Sequence, residues 1–455
     1  MSRLTAVDLG KTLDLFFQDD LSPGSIFWKP KGAELYNNLI RLIRMLYNKY
    51  GYQEVITPNI ADKALWQISG HWDKYRENMF VLRQDRYVEP GEVISESDND
   101  DNDEEIKDGK AEDDGEGEGE GESTKKLFSL KAMNCPLHCE IFSKMRIYSR
   151  DLPLRMAEFG VLHRNELSGA LHGLTRVRRF QQDDAHIFCR LDQIEDEVYN
   201  NLKMIEQVYS IFGLNFVCEL STRPDKYVGT VEVWDDAEAR LQDAIARYTG
   251  KSKSKIKVKE GDGAFYGPKI DISLLDSAKR KVQCGTIQLD FNLPSEERFN
   301  LKYIDEAEEG KTERPVIVHR AVLGSLERFI GIILEHTQGK LPLGVTPYPI
   351  SIVTVLPEQR QAAETLANHI HTNLARYGIT IQIDTDYSAD DIRQKIKRKE
   401  RLKYALILTI GAREASNIEA VDDRSNAKVA VRQNKRVSEV FVSEIIDQIV
   451  NAYNL

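Results

Sequence analysis

The chain has 455 residues, 41% of them hydrophobic and 30% charged, with a formal net charge of −11. This length accommodates two or three domains with ample cores, and no apolar run approaches the ~18–20 residues that a membrane span needs. The negative charge would argue against a polyanionic partner if it were evenly spread. Residues 91–122, however, contain 16 acidic residues against two lysines, so the remaining chain carries +3 and is compatible with RNA binding through a basic patch.

Two further features bound the class of protein. The five cysteines are few, odd in number and scattered, which indicates a reducing compartment rather than a disulfide framework. The first twenty residues are more acidic than basic and match neither a signal peptide nor a typical Arg-rich transit peptide. Residues 91–124 are strongly acidic, alternate Gly with Glu over 115–122, and predict a disordered insertion.

In chain order, a Pro-punctuated segment at 21–31 precedes an amphipathic helix, Gly32–Tyr50, and a short β-branched strand, Tyr52–Pro58. Taken alone, this pair is an ordinary core element. His71, Trp72 and Tyr75 follow close together, and an aromatic corner of a core would explain them equally well.

The segment from Leu154 to Cys189 predicts a hairpin with arms Leu154–Arg164 and Leu174–Phe188. Charged and amide residues crowd its polar side: Arg164, Glu166, Arg176, Arg178, Arg179, Gln182, Asp183, Asp184 and His186. Guanidinium forks suit phosphate oxygens, whereas carboxylates and amides suit the ammonium or hydroxyl groups of a small substrate. The pattern favours a site for a nucleotide together with an amino acid over a merely solvated sheet face.

The later elements alternate helix and strand. Helices are predicted at Leu191–Phe212 and Val233–Tyr248, and strands at Phe216–Leu220 and Gln283–Phe291. The glycine-rich segment 261–272 lacks the spacing of a phosphate-binding loop and predicts a turn that feeds a strand. Residues 339–349 are typical of a linker, and the chain beyond them predicts an α/β domain.

The hairpin resembles motif 2 of class II aminoacyl-tRNA synthetases, and in detail that of the threonyl-tRNA synthetase family. Residues 32–58 are similar to motif 1, which implies a homodimer, and RPVIVHRAVLGSLERF is similar to motif 3. The implied fold is α+β: a class II catalytic core with an antiparallel sheet at 21–340, after an N-terminal extension at 1–20. A linker at 341–349 and an α/β anticodon-binding domain at 350–455 would follow.

The resemblance also implies a metal site. The segments MNCP, QDDAHIF and VHRAVLGS match family segments whose Cys135, His186 and His319 equivalents hold Zn²⁺. Spacing alone shows no such site, since isolated Cys and His residues are more often buried packing residues. In the family the zinc binds the amino group and hydroxyl of threonine, so valine is rejected, whereas serine is discriminated less strongly. Leu137 replaces the usual glycine, and a left-handed backbone there would be strained.

The implied catalytic residues are Arg164, Lys269, Arg328 and His71, with His71 near the 3′-terminal adenosine of tRNA. The implied ATP contacts are Arg164 (α-phosphate), Glu166 (adenine amino group), Arg176 (γ-phosphate), Phe180 and Arg328 (adenine ring), Gln283 and Thr286. The implied threonine contacts are Gln182, Asp184, Tyr266 and Gln288. Mg²⁺ is expected with ATP. Glu414 and Arg432 match positions that read anticodon bases, and a basic cluster at 393–403 suits the tRNA backbone.

The implied activity is that of a threonine–tRNA ligase, with tRNA(Thr), ATP and L-threonine as partners and no membrane association. The compact build, without room for an N-terminal editing domain, is similar to the fungal mitochondrial form and favours the mitochondrial matrix, with the cytoplasm as the alternative. Two rival hypotheses remain: a synthetase-like protein that binds RNA or regulates translation without catalysis, and another class II specificity, prolyl or seryl.

Overall fold

The computed structural model describes residues 3–82, 127–275, 281–307 and 310–454, and the predicted acidic insertion at 91–124 lies outside them. The α-helices are α1 Ala6–Thr12, α2 Pro30–Tyr50, α3 Lys63–Ile68, α4 His71–Tyr75, α5 Cys135–Ser143, α6 Ile194–Ile211, α7 Val231–Thr249, α8 Leu326–Thr337, α9 Arg360–Ala375, α10 Ile392–Arg401, α11 Ala412–Ala420 and α12 Val442–Tyr453. Within these residues no helix is long and apolar enough to cross a bilayer.

The strands are β1 Phe16–Phe17, β2 Phe27–Trp28, β3 Gln53–Glu54, β4 Ile60–Asp62, β5 Val81–Leu82, β6 Phe128–Leu130, β7 Leu154–His163, β8 Arg179–Cys189, β9 Phe216–Ser221, β10 Lys257–Lys259, β11 Lys269–Leu275, β12 Lys281–Asp290, β13 Tyr303–Ile304, β14 Thr312–Glu313, β15 Val316–Ser325, β16 Ile350–Thr354, β17 Ile383–Asp386, β18 Leu406–Ile410, β19 Lys428–Gln433 and β20 Arg436–Phe441.

An eight-stranded sheet dominates the first 340 residues, in the order β10-β9-β11-β12-β15-β8-β7-β3. Its central pairs are antiparallel, and only the outermost pairs, β10–β9 and β3–β7, are parallel. Helices α2, α6 and α8 pack together on this sheet and share its largest hydrophobic cluster. The predicted α+β fold with an antiparallel core is confirmed.

A second sheet follows, in the order β17-β16-β18-β19-β20. Its first three strands are parallel and the last two are added antiparallel. It has its own hydrophobic cluster, formed with α9, α11 and α12. Each of the two sheets therefore organises a separate core.

The N-terminal segment belongs to the core of the large sheet, although the sequence suggested an extension. Helix α1 packs against α8, and Leu9, Leu13 and Leu15 are buried in the same cluster as α2. The carbonyl oxygen of Leu15 accepts a hydrogen bond from the N–H of Lys29, which brings the segment against the first turn of α2. A Cβ on Gly32 would lie 1.9 Å from that carbonyl oxygen.

We expect Gly32→Ala to destabilise the protein. Alanine in a helix normally gains about 0.5–1 kcal/mol over glycine, but forcing a backbone apart costs about 1–3 kcal/mol, so the steric cost decides the sign. Thermal unfolding should show a lower midpoint for the variant. The matched control is Gly169→Ala, where a Cβ would meet nothing within 4 Å. An unchanged midpoint in Gly32→Ala would contradict the close packing of the N-terminal segment.

Candidate active site

The pairing of β8 with β15 aligns the polar residues of both strands. His319 lies opposite His186, and Ala321 lies opposite Asp184. Because successive residues of a strand face opposite sides of the sheet, Gln182, Asp184 and His186 share one face. The intervening Asp183 points to the helices, where it pairs with Arg320.

A cavity of about 430 Å³ opens on this face. We call it the Cys/His cavity, and its polar lining includes His71, Cys135, Arg164, Gln182, Asp184, His186, Tyr266, Thr286, Gln288, Asp290 and His319. Cys135 begins helix α5. Its sulfur and one ring nitrogen each of His186 and His319 all lie within 4.8 Å of one another. The structure thus brings together three residues that are far apart in sequence.

The two histidines are hydrogen-bonded as metal ligands usually are. Nε2 of His319 lies 3.0 Å from Asp290, and Nδ1 of His186 lies 2.8 Å from Nδ1 of His138, so each ring keeps its other nitrogen for a ligand. Burial lowers the pKa of His186 well below its ordinary value, so the ring is neutral. Burial, and then the carboxylates of Asp184 and Asp290, raise the pKa of the Cys135 thiol. A bound cation would stabilise the thiolate, which is the form that binds a metal. The residues fit a Zn²⁺ ion with three protein ligands.

The remaining predicted threonine contacts line the same cavity. The hydroxyl of Tyr266 donates a 2.5 Å hydrogen bond to Gln288, whose amide in turn donates to Thr286. Asp184 is buried and accepts a hydrogen bond of 3.0 Å from the amide of Asn134. Buried carboxylate and amide groups in fixed positions can read the ammonium and hydroxyl groups of a small amino acid.

A second cavity of about 440 Å³ adjoins the first and shares Arg164, Gln182, Thr286 and Ala321 with it. We call it the arginine cavity, and its polar lining also includes Glu166, Thr175, Arg176, Ser325 and Arg328. Among the described residues, the buried Nε atoms of Arg164 and Arg328 have no hydrogen-bond partner, whereas Arg176 is paired with Glu166 at 2.8 Å. Phe180 lines the cavity close to Arg164, with 5.0 Å between the guanidinium carbon and the ring centroid. Clustered guanidinium groups beside an aromatic ring suit a nucleoside polyphosphate.

Two predicted residues lie outside the lining of both cavities. The Lys269 ammonium lies 3.2 Å from Asp271 and 3.6 Å from Asp262. Gln283 is exposed and donates a hydrogen bond to Asp271. Lys269 still pairs in register with Gln288, so it sits one strand away from the Cys/His cavity.

The two predicted anticodon residues do not meet. Arg432 lines a cavity of about 640 Å³ at the junction of the two sheets, together with the basic residues Lys340, Lys403 and Lys435. Glu414 instead accepts hydrogen bonds from the N–H of Gly411, at the start of its own helix, and from Arg413.

Several local expectations are corrected. The second arm of the hairpin begins at Arg179 instead of Leu174, and Arg179 and Asp183 face the helices, where Arg179 pairs with Glu327. Leu137 lies within α5 and is not among the positive-φ residues, so its replacement of glycine causes no left-handed strain.

The basic cluster is also partly neutralised. Lys395 is fully buried and donates to the carbonyl oxygen of Thr354, and Lys399 pairs with Asp384.

Sequence reasoning missed the residues that support the site, namely His138, Asn134, Glu158 and Asp290. His138 stands three residues after Cys135, and that proximity was the only signal. Asn134, directly before Cys135, carried the same signal. Glu158 and Asp290 could not be selected, since buried polar residues on strands carry no mark of their partners.

Comparisons with known proteins agree with this geometry. Residues 120–337 match the family described as tRNA synthetase class II core domain (G, H, P, S and T), and residues 351–452 match the anticodon binding domain. The chain is 41% identical to the cytoplasmic threonine–tRNA ligase of Saccharomyces cerevisiae over 97% of its length, and 43% identical to the mitochondrial threonine–tRNA ligase 1 of Arabidopsis thaliana over 95%. It covers 53% and 54% of those proteins, so it spans about half the length of the curated relatives it matches.

A crystal structure titled as the RNA binding domain of threonyl-tRNA synthetase from Cryptosporidium parvum Iowa II is also similar. It superposes with a TM-score of 0.81 at 41% identity, over 99% of this chain and 98% of that one. The fold is that of the class II aminoacyl-tRNA synthetases. Within that class, the chain belongs to the threonyl-tRNA synthetase family.

His71 gives a pH-dependent prediction. It lines the Cys/His cavity with Nδ1 2.8 Å from the hydroxyl of Ser69, and burial lowers its pKa from 6.5 to about 4. The unfolded chain therefore binds a proton at a higher pH than the folded one. The contribution of the neutral His71 ring to the free energy of unfolding should be fully present above pH 6.5 and should be lost as the pH falls toward 4.

The test is an NMR titration with the His71→Asn variant as the assignment control. The resonance missing from the variant should titrate near pH 4. A midpoint near 6.5 would contradict the burial of this imidazole in its neutral form.

Proposed function

We propose that the chain activates threonine with ATP to threonyl-adenylate and transfers the threonyl group to the 3′ end of tRNA(Thr). The observation that carries the proposal is the adjacency of the two cavities. A site with metal-ligand chemistry and a site with phosphate-binding chemistry meet at Arg164, Gln182 and Thr286. Two substrates bound in them would have their reacting groups at this junction.

The amino acid would bind in the Cys/His cavity. Zn²⁺ held by Cys135, His186 and His319 would offer Lewis-acid contacts to the amino group and the hydroxyl of threonine. Asp184 would orient the ammonium group, and the Tyr266–Gln288 pair would close the pocket around the side chain. Valine fills the same space but leaves the hydroxyl-binding groups unpaired, which costs much binding free energy. Serine lacks only one methyl group, and the resulting difference in binding free energy is smaller, ~1–3 kcal/mol.

ATP, accompanied by Mg²⁺, would bind in the arginine cavity. The unpartnered Nε of Arg164 lies at the junction, which suits contact with the α-phosphate, and Arg328 with Phe180 would enclose the adenine ring. Glu166 would receive the adenine amino group and Arg176 the γ-phosphate. Adenylate formation needs no general base here, because in-line geometry and charge neutralisation lower the barrier. Lys269 and Gln283 would act only after a change in their present contacts.

Transfer to tRNA would use the neutral imidazole of His71 to accept the proton of the attacking hydroxyl. The exposed cations of the 393–403 cluster are Arg393, Lys397, Arg398 and Arg401, of which Arg398 is paired with Asp386 and Asp390. The tRNA backbone would contact Arg393, Lys397 and Arg401. Arg432, in its basic cavity, and Glu414 are proposed to read anticodon bases. The relatives bear both cytoplasmic and mitochondrial names, so the mitochondrial location stays a prediction from the compact build.

ATP–pyrophosphate exchange tests the proposal. Threonine should support exchange, serine weakly and valine barely, and a zinc chelator should abolish the threonine signal. Arg164→Ala should lower exchange by about 10²–10³-fold, because the transition-state charge loses a fixed donor, while zinc content remains unchanged. Cys135→Ala should lose zinc and exchange together.

The outcomes separate the rivals. Folded protein without exchange would favour a non-catalytic RNA-binding role. Exchange that responds to proline or serine instead of threonine would place the chain in another class II specificity. Full activity in Cys135→Ala would contradict the metal assignment.

We also propose a homodimer, formed through the edge of the large sheet at β3. Within the part of the chain that the structure describes, this strand pairs only with β7, and Ile56, two residues beyond it, is 91% exposed. An open strand edge beside an exposed apolar side chain is a surface that a second copy can cover.

Ile56→Glu should raise the dissociation constant of the dimer at least about tenfold, because a carboxylate buried without a partner is costly. Analytical ultracentrifugation over a concentration series measures the shift. Leu356→Glu, at a 55% exposed position near the end of β16, is the matched control. A wild-type chain that sediments as a monomer at all concentrations would contradict the proposal.

A further inference from the structure

A line of buried polar side chains lies behind His186, outside the lining of both cavities. Nδ1 of His186 is 2.8 Å from Nδ1 of His138, and Nε2 of His138 is 3.2 Å from Glu158. Glu158 also lies 3.0 Å from the ammonium of Lys131 and accepts two hydrogen bonds from Thr57, from its N–H and its hydroxyl. All five residues are buried. Burying such groups is costly unless they are paired, and none of the proposed substrate contacts accounts for this line of hydrogen bonds.

The hydrogen bonds fix the position of each proton. An ionised carboxylate only accepts, so Nε2 of His138 carries a proton and donates to Glu158. In the tautomer whose proton lies on Nε2, Nδ1 of His138 has a lone pair and accepts the second hydrogen bond of the ring. Nδ1 of His186 must then be the donor, which leaves the lone pair on Nε2 of His186. That nitrogen is the one the metal cluster requires.

The carboxylate itself is held rigidly. Thr57, Lys131 and His138 together give it four hydrogen-bond contacts, and Lys131 is bonded in turn to the hydroxyl of Thr57 at 2.9 Å. Burial disfavours ionisation of Glu158, but the hydrogen bonds from His138 and Thr57 and the charge of Lys131 outweigh it and lower the pKa to about 2. The acceptor of the His138 proton is therefore a fixed anion.

We propose that His138, anchored by Glu158, is a positioning residue that holds His186 in the one tautomer able to bind the metal through Nε2. The proposal rests on the metal site of the proposed function. It assigns to the helix that begins at Cys135 a second role: the helix supplies one ligand directly and orients another through His138.

Two substitutions at one position test this. In His138→Asn the amide oxygen lies where Nδ1 was, so it can still accept from His186. In His138→Gln the polar end lies where Nε2 was, and the acceptor is lost. We expect His138→Gln to weaken zinc binding by about 10–100-fold and His138→Asn to recover most of that loss. Zinc affinity is measured by competition with a chromophoric chelator, and the absorption spectrum of the Co²⁺-substituted protein reports ligand geometry.

Leu137→Ala is the control for general destabilisation, since Leu137 is buried in the same helix and has no hydrogen bond to the line. It should lower the melting temperature of the zinc-free protein without changing zinc affinity or the Co²⁺ spectrum. If His138→Gln does not fold, Glu158→Leu takes its place, because it removes the acceptor of the His138 proton, and a loss of zinc affinity is again expected.

The results distinguish the two proposals. A wild-type chain that binds no zinc overturns the metal site and this inference together. Wild-type zinc affinity in His138→Gln, or an equal loss in Leu137→Ala, overturns the positioning role alone and leaves the metal site standing.

Discussion

The antiparallel pairing of β8 with β15 is the constraint on which both cavities depend. It places His186 opposite His319 and Asp184 opposite Ala321, so one pair of proposed metal ligands and one proposed substrate contact follow from a single register. A slip of one residue would turn every side chain of the strand to the opposite face. Cys135, His186 and His319 are far apart in sequence, and two of the three lie side by side in the sheet for this reason.

The opposite face of the same two strands secures that register. Asp183 accepts hydrogen bonds from the N–H groups of Val322 and Leu323, and Arg320 lies between it and the rings of Tyr47 and Tyr52. These groups are buried, and a buried charge pair adds little net stability over an apolar pair of similar volume. Its value here is specificity, because a shifted β15 would leave both charges unpaired in the core.

The sequence could predict what local patterns encode. Alternation identified the hairpin, and the motif segments around Cys135, His186 and His319 predicted a cluster that the fold brings together. Alternation did not show which face Asp183 joins, because a charged residue on a strand is expected on the polar side. The same difficulty applies to α10, where Lys395 and Lys399 are four residues apart and point inward to Thr354 and Asp384. The surface charge inferred from the sequence of this basic helix is therefore too high.

The two cavities differ in how well their charges are satisfied. In the Cys/His cavity, Asp184 and Asp290 are held by Asn134 and His319, so the walls are fixed before a ligand arrives. In the arginine cavity, Arg176 is bonded to Glu166, and the two are assigned to opposite ends of ATP. In the proposed binding mode, the nucleotide would therefore exchange this protein ion pair for contacts to the γ-phosphate and the adenine amino group. Since the side chain of Arg176 is largely exposed while that of Glu166 is not, the arginine is the partner with room to change its position in that exchange.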